Sequence, residues 1–232
     1  MLIAIYQILS VLLSPFLHLF LLYRAFQGKE EMARLNEKLG FSNVKRPAGK
    51  LIWLHAASVG ESLIALALIK ILSNKYKTLN FLLTTGTVSA AKMLQSKLPE
   101  NSLHQYIPMD CYLNVHIFLE HWQPDLALFI ESEIWPNLIS LTSSRCQMLL
   151  LNARISDRSR QRWLKYKNTI AALLAKFDNI ISQSKYDTDN FNKLGGKNIV
   201  TLHNLKYASP KLAYDEQKLK QLRSDIVKRP IF

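Results

Sequence analysis

Cysteine is scarce: Cys111 and Cys146 are the two the chain has. They fit no metal-ligand spacing and read as buried thiols of a reducing compartment. Acidic residues are also few, 17 Asp+Glu against 30 Lys+Arg, for a net charge of +13. That excess favours an anionic partner: nucleic acid, anionic lipid or a phosphorylated substrate. The basic residues are spread along the chain and form no recognised nucleic-acid motif, so nucleic acid is not an expected partner. There is no internal repeat and no low-complexity stretch. Nearly half the residues are apolar, enough for a real core in a chain of 232.

Charge is absent altogether between Leu2 and Tyr23. The segment is about as long as the ~20 residues a helix needs to cross a bilayer. A cleavable signal peptide would want a basic start and a small-residue cleavage site, and neither is present. Residues 1–23 are therefore expected to form an N-terminal membrane-anchor helix, spanning or lying in the interface. A buried core helix is the rival. Residues 24–50 read as a basic connector, with Arg24, Lys29, Arg34, Lys38, Lys45, Arg46 and Lys50. The positive-inside rule then puts the chain after Tyr23 in the cytoplasm, at the inner membrane.

From Leu51 onward, residues 51–232 alternate apolar runs with amphipathic ones. Strands are expected at 51–55, 79–84, 103–107, 125–130, 146–151, 178–182 and 198–202. Helices are expected at 61–74, 86–96, 133–143 and 157–176. The pattern predicts an α/β fold, a Rossmann-like parallel sheet with helices on both faces. Runs such as Leu126-Ala127-Leu128-Phe129-Ile130 suit strands covered on both sides. A polar helix is expected at 214–228, and Arg229-Pro230 repeats the Arg46-Pro47 that precedes the first strand.

Ligands of open α/β sheets bind at the carboxyl ends of the strands, and four such ends carry polar groups. Ser58-Val59-Gly60-Glu61 combines small residues with a carboxylate at a helix start; an ordinary βα turn is the bland alternative. Thr84-Thr85-Gly86-Thr87 could donate to a phosphate or sugar, or Thr85 could simply cap a helix. In Glu131-Ser132-Glu133-Ile134-Trp135-Pro136-Asn137 one carboxylate is expected to face a cleft and the other to help start the next helix. Asn152-Ala153-Arg154-Ile155-Ser156 and Asn204-Leu205-Lys206 bring cations that could hold phosphate or carboxylate. Ala56-Ala57-Ser58-Val59-Gly60 also approaches the G-x-S-x-G nucleophile elbow without its first Gly. A serine hydrolase would use Ser58, with Asp187 and His203 as the partners that could be proposed.

His55-Ala56-Ala57-Ser58-Val59-Gly60-Glu61, Glu131 to Asn137, Asn152 to Ser156 and Asn204-Leu205-Lys206, in that order, resemble the N-terminal half of the 3-deoxy-D-manno-octulosonic acid (Kdo) transferases. The resemblance implies the N-terminal, acceptor-binding domain of a two-domain GT-B glycosyltransferase of lipopolysaccharide biosynthesis. The acceptor would be a lipid A precursor and the donor CMP-Kdo. No cofactor and no metal would be required. By this resemblance Glu61 is the general base, with Glu131 and Lys206 supporting the transition state. Ser58, Gly60, Thr85, Gly86 and Arg154 are expected to line the substrate site. His203 stands where the family usually has Gly. The donor domain is expected to be missing after Phe232, so a separate donor-domain chain is one expected partner and the anionic membrane surface another. Transfer by 1–232 alone is expected to be weak or absent. A non-catalytic lipid- or membrane-binding remnant is the alternative.

Overall fold

A computed structural model describes residues 2–205 and 216–226. Seven parallel strands form one sheet: β1 Leu51–Ala56, β2 Asn80–Thr85, β3 Ser102–Tyr106, β4 Leu126–Ile130, β5 Gln147–Ala153, β6 Asn179–Ser182 and β7 Ile199–Thr201. The spatial order is β3-β2-β1-β4-β5-β6-β7. The direction of build-up therefore reverses between β1 and β4, which makes their carboxyl ends the switch point where open sheets bind ligands.

The helices between them are α3 Val59–Lys75, α4 Val88–Leu94, α5 Tyr112–Trp122, α6 Pro136–Thr142, α7 Asp157–Leu164, α8 Lys167–Leu174 and α9 Lys185–Lys193. Strand alternation divides the core in two. Leu51, Trp53, Ala127 and Phe129 pack with Phe118, Leu138 and Leu173 on one face. Ile52, Leu54, Leu128 and Ile130 pack with Ile64, Leu66 and Ile69 of α3 on the other. Both faces are covered, so both side-chain sets of each inner strand must be apolar.

Each expected strand is present, shifted by a residue or two at its ends. The helix expected over 157–176 is broken into α7 and α8, because Tyr166 leaves helical geometry at φ −123° and ψ 44°. A polar helix, α10 Glu216–Ile226, lies within the expected 214–228.

The N-terminal segment departs from a continuous anchor helix. It forms α1 Leu2–Leu12 and α2 Ser14–Phe26, bent by 63°. Pro15, in the first turn of α2, is the physical reason: it lacks the N–H that would bond the Val11 carbonyl, and its ring crowds that carbonyl. Among the described residues no single helix is long and apolar enough to cross a membrane. The helix α1 packs on α5 and α6, yet Leu9, Leu12, Phe16, Leu19, Phe20 and Phe26 are exposed.

The expected boundary after Tyr23 falls inside α2. Residues 24–50 lie against the domain, with a 3₁₀ segment at Met32–Leu39. Arg34 forks onto Glu37 with two 2.8 Å hydrogen bonds. Arg46 donates to the Trp122 carbonyl at 2.8 Å. At Gly40, φ is +92° and a Cβ would stand 2.1 Å from the Asn114 carbonyl oxygen, so glycine alone fits there.

Candidate functional site

The carboxyl ends of β1, β2, β4 and β5 converge with the motifs the sequence singled out. After β1, Ser58 is the N-cap of α3, its hydroxyl oxygen accepting from the Glu61 N–H. The Glu61 carboxylate reaches back, accepting from the Ser58 hydroxyl and from the Ala57 N–H, each at 2.8 Å. This is a variant of the capping box in which the carboxylate reaches the N–H of the residue before the cap. It leaves further lone pairs on the carboxylate for a substrate proton. Burial pushes the Glu61 pKa up; the bonds from Ser58 and Ala57 oppose it, while the nearby charges of Glu133 and Glu131 add to the rise. The net direction is upward, against the pull of the helix N-terminus. Gly60 is exposed, and a Cβ there would meet nothing within 4 Å. The space above the first turn of α3 is therefore open.

After β2, Thr85 is fully buried with its hydroxyl 2.9 Å from His104 Nε2. The cap of α4 is Thr87, not Thr85. Gly86 donates its N–H to the Ala57 carbonyl at 3.1 Å, and a Cβ at Gly86 would come 3.1 Å from that same oxygen. The two turns are thus sewn together.

After β4, Glu131 takes a left-handed backbone, φ +64°. Neither carboxylate starts α6, contrary to expectation. Asp110, from the loop before α5, accepts from the Asn137 and Leu138 N–H groups at 3.2 and 2.7 Å and fills that role from a distance in sequence. Glu133 is instead bound from two sides, by His55 Nε2 at 3.2 Å and by the Trp135 indole N–H at 2.6 Å. Burial pushes the Glu133 pKa up, but the bonds from His55 and Trp135 outweigh it and hold the carboxyl below its usual range. Behind His55 the Thr84 hydroxyl accepts from the Trp53 indole N–H at 2.9 Å and lies 3.1 Å from His55 Nδ1. The Thr84 carbonyl stands 3.3 Å from the same Nδ1, so Thr84 holds the ring from one side while Nε2 faces Glu133 from the other. The sequence leaves open which of Glu131 and Glu133 faces the cleft, the family resemblance chooses Glu131, and His55 is given no role. The apolar Trp53 and polar His55 at alternate positions of one strand were the available signal.

After β5, Asn152 is also left-handed, φ +52°. Its buried side chain accepts from the Leu205 N–H at 3.0 Å, which fixes the residue before Lys206 against the sheet. Lys206 itself lies outside the described residues. Arg154 is exposed at the same edge, its carbonyl accepting from the Ser132 hydroxyl.

Ser58 spends its hydroxyl on Glu61, and Asp187 accepts from the Ile155 N–H and the Ser184 hydroxyl. Both are engaged outside any hydrolase triad. Among the described residues no group of three or more His, Cys, Asp or Glu could hold a metal ion. Trp135 also borders an apolar cavity of about 460 Å³ between α1 and α6, with Ile5, Tyr6, Leu9 and Trp163. Its indole thus joins an apolar groove to the carboxylate cluster.

A family described as 3-deoxy-D-manno-octulosonic-acid transferase (kdotransferase) matches residues 33–209. The 3-deoxy-D-manno-octulosonic acid transferase of Rickettsia bellii is 39% identical over 227 residues, 98% of this chain and 54% of that protein. The Rickettsia felis transferase is 45% identical over 184 residues, 79% of this chain and 40% of that protein. The chain thus spans about half the length of the curated relatives it matches. A Listeria monocytogenes protein assigned as a UDP-N-acetylglucosamine 2-epimerase has the same fold, with a TM-score of 0.54 over 75% of this chain and 51% of that one at 11% identity. With the family match running from the 3₁₀ segment past β7, and the described parts of the motifs gathered at one sheet edge, this chain belongs to the Kdo transferase family, in its N-terminal part.

Proposed function

We propose that the chain is the acceptor half of a Kdo transferase of GT-B architecture, working in lipopolysaccharide biosynthesis at the cytoplasmic face of the inner membrane. The observation that carries this reading is the half-buried Glu61 carboxylate at the switch point, with open space above Gly60. A sugar hydroxyl is a poor nucleophile until a base takes its proton. Glu61 takes that proton as the hydroxyl oxygen bonds to the anomeric carbon of Kdo, and the bond to CMP breaks with its electrons leaving on the phosphate. A pKa raised by burial suits this role better than that of a solvated carboxylate.

Ser58, Gly60, Thr85, Gly86 and Arg154 belong to the surroundings of the acceptor on this reading. Ser58 and Gly60 are at its surface and Arg154 at its rim. Thr85 and Gly86 act from behind by holding the turns. Glu131 and Lys206 would steady the transition state, and CMP-Kdo would bind to a donor half facing this edge. No cofactor or metal is part of the proposed reaction.

A lipid A precursor is the proposed acceptor. Its phosphates match the net charge of +13, and an acyl chain matches the groove beside Trp135. The exposed apolar residues of α1 and α2 would rest in an anionic membrane surface. That same apolar surface favours the second reading, a lipid-binding module without chemistry. Kdo transfer by the chain paired with a donor half, with and without Glu61→Gln, separates the two. The first reading expects transfer to vanish in the variant while binding to lipid A precursor vesicles persists. Undiminished transfer in the variant would overturn it.

A further inference from the structure

One buried cation has no part in the proposed reaction. Lys38 lies in the last turn of the 3₁₀ segment with its side chain 8% exposed, and its nearest counter-charge, Glu30 at 3.8 Å, is 6% exposed. Burying a lysine is costly, and an apolar side chain of similar size would usually fill such a space at less expense. What the ammonium gains is a 2.9 Å hydrogen bond to the Gly86 carbonyl. It also sits 5.0 Å from the centre of the Tyr106 ring.

The contacts continue in both directions. Glu30 accepts from Arg24, in the last turn of α2, at 2.8 Å. Gly86 donates to the Ala57 carbonyl at 3.1 Å, and the Ala57 N–H donates to Glu61 at 2.8 Å. Arg24, Glu30, Lys38, Gly86, Ala57 and Glu61 thus form an unbroken line from the apolar helix pair to the carboxylate. Each link is a charge-assisted or backbone hydrogen bond or an ion pair, and its centre, Glu30 and Lys38, is buried.

We propose that Lys38 is a positioning residue for Glu61: it holds the 84–87 turn, and through it the 57–61 turn, at a fixed place relative to the corner after α2. Its importance for catalysis rests on the reading of Glu61 as the base. The tether itself does not, because it is read on the chain without substrate.

The experiment uses the whole chain in detergent, with wild type, Lys38→Met, Lys38→Arg and Gly86→Ala. Amide hydrogen exchange at Ala57 and Gly86 is measured beside the titration midpoint of the Glu61 carboxyl by NMR. In Lys38→Met the two amides should exchange about tenfold faster while those of β5 keep their wild-type rates. The Glu61 midpoint should rise, since the Ala57 N–H is one of the two bonds holding it down, with Ser58 the other and Glu131 and Glu133 acting upward. Lys38→Arg should restore most of both. Gly86→Ala changes no charge and presses its methyl on the Ala57 carbonyl, so a shift of the Glu61 midpoint there is transmitted by geometry. That arm also stands if Lys38→Met fails to fold. Wild-type exchange and midpoint in a folded Lys38→Met, or an unmoved midpoint in Gly86→Ala, would overturn the proposal. Failure of the transferase reading would appear instead as transfer indifferent to Glu61.

Discussion

The imidazole Nε2 of His55 lies 3.2 Å from Oε2 of Glu133. His55 is the last polar member of a chain that begins in the core at Trp53 and passes through Thr84. The pair therefore anchors the loop after β4 to the floor of the sheet, and it places a fixed negative charge near Glu61.

Replacing Glu133 by Gln removes that charge while leaving an oxygen for His55. The Glu61 midpoint should fall, because Glu133 is one of the charges pushing it up. The group's own depressed pKa has a second consequence. A carboxyl with a folded pKa below its ordinary 4.5 contributes stability that is present above that value and lost as pH falls through the folded pKa. Carboxyl-detected NMR on both chains reads the first effect. An unchanged or higher Glu61 midpoint would contradict it.

Thr84→Val keeps the shape of the side chain and removes its hydroxyl. The Trp53 indole N–H and His55 Nδ1 would both lose a partner in a fully buried setting. His55 Nδ1 keeps the Thr84 carbonyl at 3.3 Å, so the Trp53 N–H is the group left unsatisfied, and a loss of about 1–3 kcal/mol is expected in urea unfolding. A loss below about 0.5 kcal/mol, the size of an ordinary surface change, would mean that the chain from Trp53 to Glu133 is not held as described.

Gly60→Ala should fold well. The position is in the first turn of α3 with open space around it, and Ala is favoured over Gly in a helix by up to about 1 kcal/mol. Thermal stability should hold or rise. On the proposed reading acceptor binding should weaken, since the methyl would occupy the open space above the first turn of α3. Unweakened binding of a lipid A precursor would show that the acceptor approaches elsewhere.

His104 sets an acid limit. Burial, with Arg34 and Lys38 beside it, lowers its pKa from 6.5 to about 3. Below 6.5 the unfolded chain takes up a proton that the folded one refuses, so stability contributed by this group falls as pH drops from 6.5 toward 3. The urea midpoint should decline between pH 7 and pH 5, and His104→Gln should show a smaller decline. Equal declines in the two proteins would contradict the assignment.

The strands were readable because each inner strand, such as Leu126–Ile130, is covered on both faces and must be apolar throughout. The candidate site's place follows from the same rhythm, since the turn holding Ser58 to Glu61 comes after β1 and Glu131 directly follows β4. What the sequence hid depends on contacts between distant segments. Asp110 capping α6, Glu133 rather than Glu131 meeting His55, and Lys38 reaching Gly86 all join residues separated by 27 to 78 positions. The bend between α1 and α2 has a local cause, Pro15, whose effect is masked by the long apolar run around it. The contest over the Glu61 pKa, helix N-terminus against burial, needed the actual depth of the carboxylate to decide.

The central claim is that Glu61 is the base of a glycosyl transfer to a lipid acceptor. The direct measurement is Kdo transfer from CMP-Kdo to a lipid A precursor by the full chain in detergent together with a separately expressed donor half, using wild type and Glu61→Gln. The account predicts transfer that requires the donor half and falls by at least about 100-fold in the variant, as loss of a general base commonly does, with acceptor binding retained. Transfer at the wild-type rate in Glu61→Gln, or no transfer by the wild-type pair while both halves are folded and the acceptor is bound, would contradict it.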